Sequence, residues 1–122
     1  MNIEIKRIYD LAEAHDGKRI LVDRLWPRGI SKEKAKLDDW LKDIAPSQQL
    51  RVWFGHKPDR FNEFVERYRL ELDTDPEKQS AVLQLIEITK KNNVTLLYGA
   101  KDTSINQAVV LKDYLQEKNS HH

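Results

Sequence analysis

Asp23, Arg24 and Arg28 stand directly behind the apolar run Ile20-Leu21-Val22, in a segment that also holds Trp26, Pro27 and Gly29. A strand needs its apolar residues but has little structural use for a carboxylate and two guanidiniums at its carboxyl end. Arginines offer forked donors to a phosphate or carboxylate, and backbone N–H groups near Gly29 and the following helix start add neutral ones. Asp23 could orient a guanidinium, or carry a proton as acid or base if its pocket desolvates it. The opposing reading is that these charges only tie the loop to neighbouring elements. Trp26 either walls a pocket or anchors the loop against the core, and anchoring is preferred. Pro27 biases Trp26 toward extended backbone, which preforms the loop.

A second polar group, Tyr98, Lys101, Asp102 and Asn106, follows the apolar run Val94-Thr95-Leu96-Leu97-Tyr98. Asp102 and Asn106 share a helix face or flank its first turn. Asp102 is read first as a helix cap, then as a catalytic acid or the partner of a cation. Lys101 either neutralises an anion or points to solvent. A third group contains Trp53 and His56. His56 can exchange a proton near neutral pH, with loop organisation as its more ordinary role, and His15 ranks below it.

The elements that must position these groups follow from periodicity and punctuation. Ile3, Ile5 and Ile8 mark a first strand, and Asp10 to Gly17 reads as a connection with one helical turn. The second strand is Arg19 to Leu25, apolar enough for burial on both faces. Ser31 is an N-cap for a helix carrying Leu37, Trp40, Leu41 and Ile44 on one stripe and ending near Ala45-Pro46. Ser47 caps a shorter helix bearing Leu50, Trp53 and Phe54, which Gly55 ends. Pro58-Asp59 begins a helix with Phe61, Phe64, Val65, Tyr68 and Leu72 on one stripe. Asp75-Pro76 starts another that runs through Val82, Leu85 and Ile86, and Asn92-Asn93 closes it with left-handed geometry. Val94–Tyr98 is a buried strand, and Thr103 or Ser104 caps a last helix through Ala108, Leu111 and Leu115. This order predicts a single α/β domain over residues 1–118 with a small, mostly parallel sheet. Residues 119–122 read as a polar tail in which His121-His122 are either native or the start of an affinity tag.

Composition narrows the chemistry. The 122 residues are 39% hydrophobic and 34% charged, which fits one folded domain. A net charge of +1, from 21 Lys plus Arg against 20 Asp plus Glu, gives no global field toward nucleic acid. With no cysteine, thiolate chemistry and cysteine-held metals are excluded. Dinucleotide, Walker, zinc-helix and nucleophile-elbow motifs are absent. No cofactor and no metal are expected. The opening Met1-Asn2-Ile3-Glu4 enters a strand without a secretory pattern, and no apolar run suits a membrane span, so a cytoplasmic protein is expected.

The string Val22-Asp23-Arg24-Leu25-Trp26-Pro27-Arg28-Gly29 closely resembles the hallmark of the domain-of-unknown-function 488 (DUF488) family. The resemblance covers nearly the whole chain. It continues through Lys6 to Tyr9, Asp39 to Lys42, Ala45 to Ser47, Leu50 to His56, the Phe61-to-Tyr68 helix and Glu71-Leu72. Beyond these it takes in Thr95 to Tyr98, Ala100 to Asp102 and Ala108 to Lys112. It implies a small stand-alone member with a three-layer, flavodoxin-like or Rossmann-like α/β domain and a shared polar site. Matched positions carry that interest to Asp23, Arg24, Trp26, Arg28, Trp53, His56, Tyr98, Lys101, Asp102 and Asn106. A departure falls at Thr103 to Gln107, where the family looks like an acidic residue followed by histidine and asparagine. Ile105 takes the histidine's place, so a mechanism needing that imidazole lacks its group here.

The leading expectation is an enzyme-like domain that binds a small anionic or phosphorylated ligand at joined strand ends, with hydrolase or transferase chemistry. Asp23, Asp102 and His56 are its catalytic candidates. Arg24, Trp26, Arg28, Trp53, Tyr98, Lys101 and Asn106 are its ligand-binding candidates. The alternative is a non-catalytic module that uses the same arginines and aromatic residues to bind a protein or nucleic acid. Neither reading involves a membrane, and the sequence carries no signal for oligomeric state.

Overall fold

Val94–Tyr98 is the strand around which the sheet is built. In the computed structural model, which describes residues 2–120, all five of its residues are buried. Burial on both faces suits the central strand of a parallel sheet and explains the unbroken apolar run. Four strands, β1 (Ile3–Arg7), β2 (Lys18–Leu21), β3 (Asp39–Trp40) and β4 (Val94–Tyr98), lie in the order β1-β4-β2-β3. Every pairing is parallel, with Ile5 opposite Leu96 on one side of β4 and Ile20 opposite Leu96 on the other. The helices are α1 (Lys32–Ala35), α2 (Gln48–Phe54), α3 (Phe61–Thr74), α4 (Pro76–Lys91) and α5 (Gln107–Ser120). This is an α/β fold, a parallel sheet flanked by helices in a flavodoxin- or Rossmann-like arrangement.

Side-chain alternation along the strands divides the interior in two. Ile3, Ile20, Val94, Leu96 and Tyr98 pack with Leu50 and Phe54 of α2, Phe64, Tyr68 and Leu72 of α3, Val82, Leu85 and Ile86 of α4, and Leu111 and Leu115 of α5. Leu21 and Leu97 face the other way, where Ile8 and Ala35 join them and Trp26, Ile30, Leu37 and Trp40 complete a smaller cluster. That second face also buries charge. Arg19 donates to Asp16 at 2.6 Å and to the Ala35 carbonyl, while Lys6 donates to Asp16 and Glu13, each at 2.8 Å. The Thr95 hydroxyl closes the group on the Asp16 carbonyl at 2.7 Å.

Most expected elements are present. The Ser47 and Asp75 side chains cap α2 and α4, Pro76 opens α4, and Gly55 ends α2 in left-handed geometry. Four readings need correction. β2 ends at Leu21 rather than Leu25, with Val22 retaining one bond to the Leu97 carbonyl at 3.0 Å. Ser31 does cap a helix, but Lys36 stops it with φ of 47° after Ala35. The chain then returns to the sheet as β3, where the Asp38 and Leu41 N–H groups bond the Arg19 and Leu21 carbonyls. Leu37 and Trp40 join the smaller cluster while Leu41 and Ile44 join the larger one. A single helix stripe could not reach both sheet faces, and pairing the β2 edge satisfies backbone groups that a helix would leave buried and unbonded. Asn92 is extended rather than left-handed. Finally, α5 is capped by Asn106, whose side-chain oxygen accepts from the Val109 N–H at 3.0 Å, and not by Thr103 or Ser104.

α5 continues through Ser120, so the expected tail begins within a helix. His121 and His122, with the tag reading attached to them, lie outside the described residues. Among the described residues no helix is long and apolar enough to cross a membrane.

Candidate functional site

Because β2 and β4 are parallel neighbours, the segments leaving Leu21 and Tyr98 meet on one rim of the sheet, where ligands of such folds gather. Asp23 joins them. One of its carboxylate oxygens accepts from the Gly99 N–H at 2.8 Å and the other from the side-chain amide of Gln107 at the start of α5. The loop after Asp23 is held by further donors. Trp40 reaches the Asp23 carbonyl at 2.7 Å, Trp26 reaches the Ile30 carbonyl at 2.7 Å, and the Tyr9 hydroxyl reaches the Arg28 carbonyl at 2.8 Å. Trp26 and Trp40 also meet edge to face, with ring centroids 5.3 Å apart. The loop is thus preformed by side chains drawn from β3, from the turn after β1 and from its own length.

Beside it opens a cleft of about 450 Å³, lined by Asp23, Arg24, Leu25, Trp26 and Arg28 from the loop, Arg51, Val52, Phe54 and His56 from α2 and the turn after it, and Gln107 from α5. Arg24 and Arg28 are exposed, and among the described residues no hydrogen bond or ion pair engages either guanidinium. Arg51 is exposed as well and lends its charge to Asp23. His56, which has φ of 58°, sets its ring 5.9 Å from that of Phe54.

Burial pushes the Asp23 carboxyl up to about 6, although the Gly99 N–H, the Gln107 amide and the Arg51 charge all favour its ionised form. The folded protein therefore holds this proton more tightly than the unfolded chain. Its contribution to stability is present below the ordinary value of 3.8 and is lost as pH rises through about 6. In the Asp23→Asn variant, the introduced amide can keep both bonds if the Gln107 amide turns over. Urea unfolding at pH 4.5 and 7.5 should show the wild type losing about 2 kcal/mol that the variant retains. Parallel pH profiles for the two proteins would refute this account.

The remaining sequence candidates scatter. Trp53 is outside the cleft lining and packs against the main core, with the guanidiniums of Arg60 and Arg67 5.3 and 4.5 Å from its ring. Tyr98 is buried in the main core, and burial raises its hydroxyl pKa. Lys101 is exposed, outside the cleft lining. Asp102 is exposed too, and its side chain accepts from the Ser104 and Ile105 N–H groups at 2.8 and 2.9 Å, which holds it below the usual carboxylate range. Asn106 is fully buried, donating to the Asp102 carbonyl at 2.8 Å while it caps α5. Ile105 packs against the main core.

Sequence reasoning misses Arg51 and Gln107. Gln107 carries a usable signal, since it opens a helix directly after the loop that leaves β4. Arg51 looks like any exposed cation on an amphipathic helix. A carboxylate and imidazole group at Glu13, His15 and Asp16 makes no metal centre, because the Asp16 oxygens already receive Lys6 and Arg19.

A family model described as the inactive DUF488-N3 subclade matches residues 2–122. The chain is 48% identical to the uncharacterized protein YeaO of Escherichia coli (strain K12), covering 95% of this chain and 98% of that protein. It is 37% identical to the uncharacterized protein Rv3073c of Mycobacterium tuberculosis (strain ATCC 25618 / H37Rv), covering 93% and 92% respectively. No solved structure matches. The subclade description overturns the expectation of hydrolase or transferase chemistry, and the proton-transfer roles drawn from it for Asp23, Asp102 and His56 are withdrawn. The carboxylates' existing bonds agree, since Asp23 and Asp102 are each engaged in holding backbone.

Proposed function

Since this chain belongs to the DUF488 family, within its inactive N3 subclade, we propose that it is a non-catalytic recognition domain whose cleft receives an anionic group carried by a partner protein. The observation that carries this reading is the pair of unengaged guanidiniums, Arg24 and Arg28, facing one cleft with Arg51. Charge-assisted bonds to arginine are stronger than neutral ones, and a preformed loop loses little entropy on binding.

A protein partner is favoured over nucleic acid by the state of the aromatic faces. Single strands are bound by cationic grooves combined with open rings on which bases stack. Here Arg7 covers Tyr9, Lys42 covers Trp40, and Arg60 and Arg67 cover Trp53. Trp26 is held in an edge-to-face pair with Trp40. The test is fluorescence anisotropy with a labelled oligoglutamate peptide and a labelled single-stranded oligodeoxynucleotide. The peptide should bind with marked salt sensitivity, and the combined Arg24→Ala and Arg28→Ala variant should lose about tenfold or more in affinity. Preference for the oligonucleotide, or peptide binding indifferent to both substitutions, would overturn the reading.

A further inference from the structure

Two apolar side chains share the cleft with the arginines and have no packing role in either core cluster. Leu25 is 63% exposed and follows Arg24 in the loop, and Val52 is 71% exposed and follows Arg51 on α2. Each apolar residue is therefore the chain neighbour of a cleft arginine, and the two come to the cavity from different elements. We propose that the occupant of the cleft is a linear peptide segment in which a glutamate or aspartate adjoins a bulky apolar residue. The carboxylate meets Arg24, Arg28 and Arg51, and the apolar side chain covers Leu25 and Val52. The proposal rests on the recognition role above and names its partner.

Charge complementarity selects the acid, and two exposed apolar groups beside it select its neighbour. A lone small anion would leave Leu25 and Val52 in water, whereas an apolar neighbour removes their surface from it, the main favourable contribution in protein association. Asp23 refines the choice. Fixed by the Gly99 N–H and the Gln107 amide, it cannot turn away from the cleft it lines. Its charge works against a dianionic phosphate more strongly than against a carboxylate, a repulsive element of the kind that gives interfaces their specificity.

The experiment compares labelled peptides of equal length near pH 7.5: alternating Glu-Leu, alternating Glu-Ser, alternating Gln-Leu and alternating phosphoserine-Leu, with single-stranded DNA as a further arm. Glu-Leu should bind about tenfold more tightly than Glu-Ser or Gln-Leu. Leu25→Ser and Val52→Ser should each reduce Glu-Leu affinity by about threefold to tenfold while leaving Glu-Ser affinity and the melting temperature in place. Both residues are exposed, so loss of fold does not stand in the way. Equal binding of Glu-Leu and Glu-Ser that still depends on Arg24 and Arg28 would overturn the proposed segment but leave the recognition role standing. Preference for the phosphoserine peptide would do the same. Tightest binding to DNA, or no binding in any arm, would overturn both.

Discussion

Replacing Asp16 by alanine should lower the unfolding free energy by about 3–5 kcal/mol, the range found when one member of a buried ion pair is removed. Asp16 and Arg19 are 3% and 4% exposed, so the stranded guanidinium has no easy route to water. The loss spreads beyond that pair, because the same carboxylate receives Lys6 and the Glu13 N–H at 2.9 Å, and thereby fixes the connection between β1 and β2. Urea unfolding near pH 7 measures the effect, and a change under about 1 kcal/mol would show that the network relaxes around the deletion. Acid offers a second check. Burial pushes the Asp16 carboxyl up, but Lys6, the Glu13 N–H and Arg19 outweigh it and hold it at about 2. This stability is present above the ordinary value of 3.8 and is lost as pH falls toward 2, the opposite direction and a lower window than for Asp23. The Asp16→Asn variant should lack that acid limb of about 2–3 kcal/mol.

Gly17→Ala should be about as damaging, at about 3–5 kcal/mol, for a reason confined to backbone geometry. Gly17 has φ of 66° and ψ of −135°, a region that residues with a Cβ avoid. A Cβ built there would lie 2.2 Å from the Asn93 carbonyl oxygen and 2.7 Å from its carbon. That carbonyl also accepts from the Lys18 N–H at 2.8 Å, at the point where β2 begins to pair with β4. Neither strand can withdraw without breaking the pairing. Gly29→Ala is the natural control: it has φ of 77° but nothing within 4 Å of an added Cβ, so only conformational strain of about 1 kcal/mol is expected. Similar melting temperatures for the two variants would rule out the steric account of Gly17.

What could be read from the sequence follows how local each signal is. Ser47, Asp75-Pro76 and Gly55 mark helix ends through bonds to residues a turn away, and those helices stand where the markers put them. Leu37, Trp40, Leu41 and Ile44 mislead because their spacing matches a helical stripe, while their burial is set by a sheet edge formed by residues 18–21. Arg19 gives no sign of burial, since a cation at a strand start ordinarily faces solvent. Its partner Asp16 is supplied by the turn that precedes it. The candidate site divides in the same way. Asp23, Arg24, Trp26, Arg28 and His56 line one cleft, whereas Trp53 packs against the main core outside that lining and Asn106 turns into the interior. Chain spacing alone could not show that, because the choice of face depends on what α3 and β4 press against.

The position of β4 between β1 and β2 orders the birth of the molecule. On the ribosome, every residue before Val94 emerges while β1 and β2 still lack the strand that lies between them, although β2 can already meet β3 and α3 can meet α4. The parallel sheet can close only once Val94–Tyr98 has emerged, and the cleft, which needs Gly99 and Gln107 to hold Asp23, comes later still. The nascent chain therefore carries open strand edges until β4 arrives, the condition under which protection from aggregation matters most.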